Sequence, residues 1–258
     1  MQESRMLDVN KIEEMISEYA GAKKRCILLD YDGTLAPFEK LPSLAIPGDE
    51  VLNLLAELSA NSKNEVVVIS GRDSDILQKW MGHLRLTLVA EHGASIRYRN
   101  ESWQQQISQS NKWKEEVRPL LQTFVTRCAE SFIEEKQNTL AWHYRNTDLD
   151  LGFVQSRELH NHLLQLTNNT ELQVLDGNRV IEVRFTGVDK GVTALKILER
   201  FSPDFSFCLG DDTTDEDMFR ILKDKGYTVK VGPGATAAQY TLSSQTDVVP
   251  LLRKFLDR

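Results

Sequence analysis

The stretch Leu29-Asp30-Tyr31-Asp32-Gly33-Thr34-Leu35 follows directly on the apolar run Cys26-Ile27-Leu28. An apolar run that gives way to polar residues and glycine predicts a buried strand that ends at Asp30. Two carboxylates two residues apart at a strand end suit phosphoryl transfer, because one can attack phosphorus while the other exchanges protons with the leaving oxygen and with water. A turn-capping aspartate is the alternative for either residue, and the other polar segments of the chain argue against it.

Helices and buried strands alternate around this stretch. Apolar residues at helical spacing predict helices over Lys11–Ala20, Val51–Leu58, Ile76–Met81, Val192–Leu198 and Met218–Leu222, and short apolar runs predict strands at Val66–Ile69, Phe205–Leu209 and Tyr227–Val231. In the fourth helix we expect Val192, Leu195 and Leu198 to form the buried stripe. Strands that are apolar on both faces and alternate with helices predict an α/β fold, with a parallel sheet covered by helices on both sides.

The alternation is interrupted from about Trp103 to Glu182. This segment predicts a helix, the alternating strand Thr139–Arg145, a second helix and two strands, Glu171–Leu175 and Arg179–Val183, joined by a turn at Asp176-Gly177-Asn178. No linker rich in Pro, Gly or Ser separates it from the rest. We therefore expect a core formed by residues 1–103 and 185–258, with an inserted α+β domain formed by residues 104–184.

Two further polar segments follow predicted strands, where ligands bind in open parallel sheets. Ser70-Gly71-Arg72 could hold an anion with its hydroxyl and backbone N–H groups, although Ser-Gly is also a common helix cap. Gly210 to Glu216 places four acids within six residues, at Asp211, Asp212, Asp215 and Glu216. Crowded carboxylates favour a hard cation such as Mg²⁺; solvated surface acids, or acids at a helix N-terminus, are the alternative.

Lys190 opens the predicted helix that precedes this acidic segment. A transferring phosphoryl group needs a cation to neutralise its charge. Taken alone, Lys190 would be an ordinary surface lysine. Its order between the Ser70 and Asp211 segments favours the phosphate-binding role.

The composition excludes several function classes. The 258 residues carry a formal net charge of −7, which argues against a broad surface for nucleic acid or anionic membranes. Uninterrupted apolar stretches are too short for a membrane span. The three cysteines, Cys26, Cys128 and Cys208, lie in apolar runs and are odd in number, which favours reduced core cysteines and a cytoplasmic location.

Taken together, these motifs resemble those of the haloacid dehalogenase (HAD) phosphatase superfamily, whose Asp-x-Asp-Gly-Thr motif matches Asp30 to Thr34. The resemblance implies a Rossmannoid three-layer core with an inserted cap domain. It also implies that Asp30 is the nucleophile and Asp32 the general acid and base. The implied phosphate ligands are Thr34, Ser70, Gly71 and Lys190, and the implied Mg²⁺ site is formed by Asp30, Asp32 and Asp211, with Asp212 and Asp215 as closely placed acids.

Longer strings narrow the resemblance to trehalose-6-phosphate phosphatases. They are Asp30–Leu35, Ser70-Gly71-Arg72, Ala90-Glu-His-Gly93, Trp142-His-Tyr-Arg145 and Gly210–Glu216. In that family the cap recognises the sugar, which implies that Glu134, Lys136, Arg145, Asn178 and Glu182 bind the disaccharide, with Arg72 and His92 contributing from the core. Trp142 and Tyr144 fit a half-buried strand, and the residues leave the role of His143 open.

The implied reaction is the Mg²⁺-dependent hydrolysis of trehalose 6-phosphate to trehalose and phosphate. Alternatives are a phosphatase for sucrose 6-phosphate or mannosyl-3-phosphoglycerate, and a non-catalytic sugar-phosphate-binding domain of a trehalose-phosphate synthase. The expected partner is a small sugar phosphate, with a trehalose-phosphate synthase domain or subunit as a further candidate. Neither nucleic acid nor a membrane is expected as a partner.

Overall fold

The computed structural model describes residues 5–39 and 44–256. The chain divides into two compact units, one formed by Met1–Gln106 with Val188–Arg258 and the other by Ile107–Gly187. Both divisions fall three residues later than the boundaries expected from the sequence. At the first of them the reason is that Gln104–Gln105 pair with Ser95 and Ile96, which makes them an edge strand of the larger unit.

The first part of the larger unit contains β1 (Arg5–Met6), α1 (Val9–Gly21), β2 (Arg25–Asp30), α2 (Asp49–Ala60), β3 (Asn64–Ile69), α3 (Ser74–Met81), β4 (Thr87–Ala90), β5 (Ser95–Arg97) and β6 (Gln104–Gln105). The smaller unit contains α4 (Trp113–Arg127), β7 (Phe132–Glu135), β8 (Thr139–His143), α5 (Leu149–Leu166), β9 (Leu172–Gly177) and β10 (Val180–Phe185). The larger unit then continues with α6 (Lys190–Phe201), β11 (Phe205–Gly210), α7 (Glu216–Leu222), β12 (Tyr227–Val231), β13 (Tyr240–Leu242) and α8 (Val248–Arg253).

The larger unit is built on one sheet with the described strand order β1-β13-β12-β11-β2-β3-β4-β5-β6. Pairing is parallel from β1 to β4, and β5 and β6 add antiparallel strands at one edge. Every residue of β2 is buried, because Ile27 and Leu29 pack into the core on one face of the sheet while Cys26 and Leu28 pack into the core on the other. The predicted parallel α/β sheet is therefore confirmed, and β2 lies inside it between β3 and β11.

The buried stripe of α6 differs from the one predicted. Val192 is exposed and Leu195 only half-buried, whereas Thr193, Ala194, Ile197 and Leu198 are buried together with Lys190. The buried face of α6 is thus shifted by about one residue from the face that the apolar residues predict. The difference follows from Lys190, since a helix that buries this side chain also buries the residues three, four, seven and eight positions later.

The smaller unit has two layers. Its four strands form an antiparallel sheet with the order β7-β8-β10-β9, and α4 and α5 supply helical residues to the same hydrophobic cluster as one face of that sheet. That cluster includes Leu121, Phe124, Trp142, Leu159 and Ile181. The β9–β10 turn differs from the predicted one: Gly177 pairs with Val180, so the turn residues are Asn178 and Arg179, and Arg179 has a φ of 59°.

Two further observations bear on the composition. Cys26, Cys128 and Cys208 are buried free thiols. Among the described residues, the structure has no helix whose length and apolar character would let it cross a bilayer.

Candidate active site

The three predicted polar segments meet at the carboxyl edge of adjacent parallel strands. In β2, Leu29 pairs with Val68 of β3 on one side and with Leu209 of β11 on the other. Asp30 therefore ends a strand beside Ser70, which follows β3, and beside Asp211, which follows β11. Segments far apart in the sequence are brought together because parallel strands present their carboxyl ends at one edge.

Lys190 lies at the centre of this edge. Its Nζ is 2.5 Å from Oδ1 of Asp30 and 2.7 Å from Oδ1 of Asp215, and all three side chains are buried. Asp189 caps α6 by accepting the N–H of Val192, which places Lys190 in the first turn of the helix. Burial alone would lower the pKa of Lys190, but the carboxylates of Asp215 and Asp30 outweigh it and raise that pKa above the ordinary value, so the ammonium stays charged.

Asp215 organises the acidic turn. Its Oδ2 accepts the backbone N–H groups of Asp211 and Asp212, each at 2.9 Å, while its Oδ1 accepts from Lys190. Gly210 is required beside it, since a Cβ on that residue would lie 2.3 Å from the Asp215 Cγ. Both Asp215 oxygens are thus used in holding the turn and the lysine.

The carboxylates of Asp30, Asp211 and Asp215 offer oxygen atoms that all lie within 4.8 Å of one another. Oδ2 of Asp30 is buried and accepts no hydrogen bond from any described residue. Burial and the negative charge of Asp215 raise the pKa of Asp30 well above its usual range. The pKa of Asp211 rises to about 7, mainly through burial and then through Asp215 and Asp212. An unsatisfied carboxylate oxygen in a crowded acidic cluster fits a hard divalent cation.

Asp212 lies apart from this cluster. Its Oδ1 accepts the backbone N–H of Thr213 at 2.7 Å and caps the short 3₁₀ turn Thr213–Asp215. The sequence placed Asp212 beside the metal ligands, and that role stays a prediction; what the structure shows is the capping contact of its Oδ1.

Asp32 pairs with Arg72. Nε of Arg72 donates to Oδ2 of Asp32 at 2.9 Å, and Nη2 of Arg72 donates to Oδ1. Arg72 is almost fully buried, and its guanidinium also lies over the Trp80 ring, 5.6 Å from the centroid. The guanidinium thus holds both oxygens of the predicted general acid and base.

The predicted phosphate ligands lie around Asp30 and Asp211. Oγ1 of Thr34 is 3.5 Å from Oδ1 of Asp211, and Oγ of Ser70 accepts the backbone N–H of Arg72 at 3.1 Å.

His92 packs against Gly71 so closely that a Cβ on Gly71 would lie 2.6 Å from the His92 Nε2. The backbone N–H of His92 also donates to the Ser70 carbonyl at 2.9 Å. His92 has a φ of 59°, in the left-handed region that non-glycine residues rarely adopt.

One residue of this edge was missed from the sequence. Lys230 is buried, and its Nζ donates to the backbone carbonyl of Asp211. The signal was a lysine inside the apolar strand Tyr227–Val231, because a lysine side chain is rarely buried unless it contacts a polar partner.

In the smaller unit, three predicted sugar ligands share one face of the sheet. Glu134 of β7 and Glu182 of β10 both lie directly opposite Ala141 of β8, so their side chains leave the same face. Lys136, two residues after Glu134, has its Nζ 3.5 Å from the Glu134 Oε2. Because neighbouring strands lie about 4.8 Å apart, the Cα atoms of the two glutamates are roughly 10 Å apart, with Ala141 between them.

Arg145 and Asn178 meet at one end of this sheet. Nη2 of Arg145 donates to the backbone carbonyl of Asn178 at 3.1 Å. The Arg179 carbonyl accepts the backbone N–H of Tyr144 at 3.1 Å, which ties the same turn to the end of β8. The structure therefore brings Arg145 to the β9–β10 turn.

Comparisons with known proteins identify the family. The trehalose-phosphatase family model matches residues 28–246. A bifunctional trehalose-6-phosphate synthase/phosphatase of Thermoproteus tenax is 37% identical over 250 residues, covering 97% of this chain and 34% of that protein. A trehalose-phosphatase of Schizosaccharomyces pombe is 35% identical over 257 residues, covering 93% of this chain and 32% of that one. This chain thus spans about a third of the length of these curated relatives.

A solved structure agrees with the sequence relatives. The C-terminal domain of trehalose-6-phosphate phosphatase from C. albicans superposes with a TM-score of 0.93 at 31% identity, covering 99% of each chain. The fold is accordingly HAD-like. With the Asp30, Lys190 and Asp211 arrangement at the carboxyl edge of its parallel sheet, this chain belongs to the trehalose-phosphatase family.

Proposed function

We propose that this chain is a Mg²⁺-dependent phosphatase that hydrolyses trehalose 6-phosphate to trehalose and phosphate. The observation that carries the proposal is the buried Lys190 ammonium, held between Asp30 and Asp215 beside the Asp211 carboxylate. A buried cation beside a strand-end carboxylate suits a site that receives a phosphate and transfers it to the carboxylate. Membership of the trehalose-phosphatase family supports the same substrate.

Asp30 is the proposed nucleophile. A carboxylate oxygen of Asp30 attacks phosphorus, a P–O bond forms, and the bond from phosphorus to the glucose O6 breaks. The product of this step is an aspartyl-phosphate, which water then hydrolyses to restore the carboxylate and release phosphate. The ion pair with Lys190 supports this role, because it orients the Asp30 carboxylate and places positive charge beside it.

Asp32 is the proposed proton carrier. It gives a proton to the glucose O6 as trehalose leaves and takes one from the water that attacks the aspartyl-phosphate. The pairing with Arg72 fixes where the Asp32 carboxyl group lies, because the guanidinium contacts both of its oxygens.

Asp30 and Asp211 are the proposed side-chain ligands of Mg²⁺, with the Asp32 backbone carbonyl as a further ligand. When bound, Mg²⁺ neutralises charge on the phosphoryl oxygens. The unsatisfied Oδ2 of Asp30 supports this assignment. We assign Asp215 to positioning, because its two oxygens hold Lys190 and the backbone of the Asp211 turn.

Lys190, Ser70, Gly71 and Thr34 are the proposed phosphate ligands. Lys190 supplies the charge, and the segment at Ser70 and Gly71 supplies a hydroxyl and backbone N–H groups. Thr34 contributes a hydroxyl beside Asp211.

Sugar recognition is assigned to Glu134, Lys136, Arg145, Asn178 and Glu182 of the smaller unit, and to Arg72 and His92 of the larger one. Carboxylates and cations bond the many hydroxyls of a disaccharide, and an analogue without one of these hydroxyls leaves polar groups unpaired. Glu134 and Glu182 leave the same face of the sheet on either side of Ala141, and this shared face supports the assignment because two carboxylates on one face can bond hydroxyls of one sugar.

A trehalose-phosphate synthase domain or subunit is the proposed source of the substrate. The name of the Thermoproteus tenax relative joins a synthase and a phosphatase, and this chain matches 34% of that protein. We also propose a cytoplasmic location, which the buried thiols of the three cysteines support.

The test is phosphate release from trehalose 6-phosphate, sucrose 6-phosphate, mannosyl-3-phosphoglycerate and glucose 6-phosphate at equal concentrations, with and without Mg²⁺. The proposal expects Mg²⁺-dependent release with a strong preference for the trehalose ester, and near-complete loss of it in Asp30→Asn. Equal release from all four esters would overturn the sugar assignment. No release from a folded, Mg²⁺-saturated protein would favour a non-catalytic domain, against which the intact set of Asp30, Asp32, Lys190 and Asp211 argues.

A further inference from the structure

His143 occupies a defined place on the sheet face that carries Glu134 and Glu182. It is the last residue of β8 and lies directly opposite Phe132 of β7, two positions from the Ala141–Glu134 pair. Residues two apart in a strand point to the same face, so the His143 side chain emerges beside Glu134. Its side chain is 18% exposed, and this half-buried position limits the conformations that the ring can adopt.

Two contacts hold the imidazole ring. It stacks on Phe132, with ring centroids 4.8 Å apart and planes inclined by 13°. Its Nε2 lies 2.8 Å from Oε2 of Glu134. The stack sets the plane of the ring, and the hydrogen bond sets the direction of one carboxylate oxygen of Glu134.

The small residue opposite Glu134 lets the His143 side chain reach the Glu134 carboxylate. Ala141 presents only a methyl group between Glu134 and Glu182, so a longer neighbour on the same strand can bend toward the carboxylate. Lys136 approaches the same oxygen, with Nζ at 3.5 Å. The Glu134 carboxylate therefore has donors on one oxygen from two sides, which restricts its rotation.

We propose that His143 is a positioning residue for sugar recognition, and that it acts by orienting the Glu134 carboxylate toward a hydroxyl of the substrate. The inference rests on the proposed function, because it presumes that Glu134 binds the sugar. A carboxylate that is already oriented loses less side-chain entropy when it binds a hydroxyl. Loss of the donor at position 143 therefore weakens substrate binding and leaves the chemistry at Asp30 intact.

Two substitutions of His143 separate the loss of its hydrogen-bond donor from the loss of its ring stacking. His143→Gln keeps an amide N–H near the place of Nε2 and loses the stack, whereas His143→Leu keeps apolar packing against Phe132 and loses the donor. If His143 positions Glu134, the KM for trehalose 6-phosphate stays close to wild type in His143→Gln and is roughly 5-fold higher in His143→Leu, the effect expected from ordering one more side chain on binding. In both variants kcat stays within about twofold of wild type, as for loss of uniform binding.

A double-mutant cycle with Glu134→Gln tests the route of the effect. If His143 acts through Glu134, His143→Leu adds little to the KM increase already caused by Glu134→Gln. His162→Leu is the matched control: His162 Nε2 lies 3.8 Å from Oε1 of Glu158 on α5, so it is a histidine–glutamate pair outside the sheet. That control is expected to leave KM unchanged.

Different results overturn different claims. Equal or reversed KM values for the Gln and Leu variants would show that the ring matters only for packing, and additive effects in the cycle would exclude action through Glu134. Either result overturns the role of His143 while wild-type hydrolysis of trehalose 6-phosphate still supports the proposed function. A wild-type protein that does not hydrolyse this ester overturns both.

Discussion

Arg72 donates hydrogen bonds from Nε and Nη2 to the two carboxylate oxygens of Asp32, and it does so from an almost fully buried position. This fork links the segment after β3 to the segment after β2. Its geometry matters because a planar guanidinium can hold a carboxylate by two parallel bonds, whereas an ammonium ion cannot.

Arg72→Lys is therefore expected to lower kcat for trehalose 6-phosphate by about 10-fold or more, although the positive charge remains. The measurement is steady-state phosphate release at saturating Mg²⁺. Arg220→Lys, which replaces an exposed arginine that pairs with Asp217, serves as the control and should leave kcat unchanged. Full kcat in the Arg72→Lys variant would show that the two-bond geometry has no part in the reaction.

Lys190→Met should destabilise the protein as well as inactivate it. Removal of the ammonium leaves Asp30 and Asp215 buried side by side without a cation. Breaking a buried ion pair in this way lowers the free energy of unfolding by about 3–5 kcal/mol. Urea unfolding of the metal-free protein measures the loss. Lys196→Met, at an exposed position on the same helix, is the control, and a difference below about 1 kcal/mol between the two variants would contradict the central place of Lys190.

Mg²⁺ affinity is expected to depend on pH. The pKa of Asp211 is raised to about 7 and that of Asp30 is also raised, so protons compete with the metal below neutrality. The apparent affinity should rise about 10-fold per pH unit or more as the pH approaches 7, because the Asp211 carboxyl group loses its proton in this range. Calorimetric titration of Mg²⁺ between about pH 5.5 and 8.5 measures this, and an affinity that stays flat across that range would count against Asp211 as a ligand.

The same shift affects the stability of the metal-free protein. The folded protein binds the Asp211 proton more tightly than the unfolded chain does. The resulting contribution to the free energy of unfolding is complete below the unfolded pKa of about 3.9 and is lost as the pH rises to about 7. Mg²⁺ replaces the lost proton. Saturating Mg²⁺ should therefore raise the melting temperature more at pH 8 than at pH 6, and the opposite order would contradict the assignment.

Glu182→Gln is expected to raise KM for trehalose 6-phosphate by roughly 10-fold while kcat changes little, because a carboxylate that binds a sugar hydroxyl is replaced by a weaker acceptor. Steady-state kinetics of the purified variant measures both constants. Glu158→Gln on α5 is the control, since this glutamate pairs with Arg127 outside the sheet. A fall in kcat with unchanged KM would assign Glu182 to another role.

Local sequence signals predicted the parallel arrangement and its four central strands, β2, β3, β11 and β12. Apolar runs such as Cys26–Leu29 are short, β-prone and followed by glycine, so their identity as buried strands depends little on the rest of the chain. The position of Asp30 at a strand end follows from the same local pattern. Strands β1, β4, β5, β6, β7 and β13 were missed, because runs of only two to four residues are too short to show a periodic apolar pattern.

The sequence by itself determined which residues we propose for the chemistry: the aspartates of the first motif, Lys190 and the acidic segment after Leu209 are specified by residue type and by position relative to predicted strands. Only the tertiary structure decided where these acids lie and what they contact. Asp211 joins Asp30 in the crowded cluster, Asp212 caps a turn, and Asp215 holds that turn and Lys190. Neighbouring acids look alike in a sequence, and their contacts differ only when backbone N–H groups and a buried ammonium from distant segments bond one carboxylate rather than another.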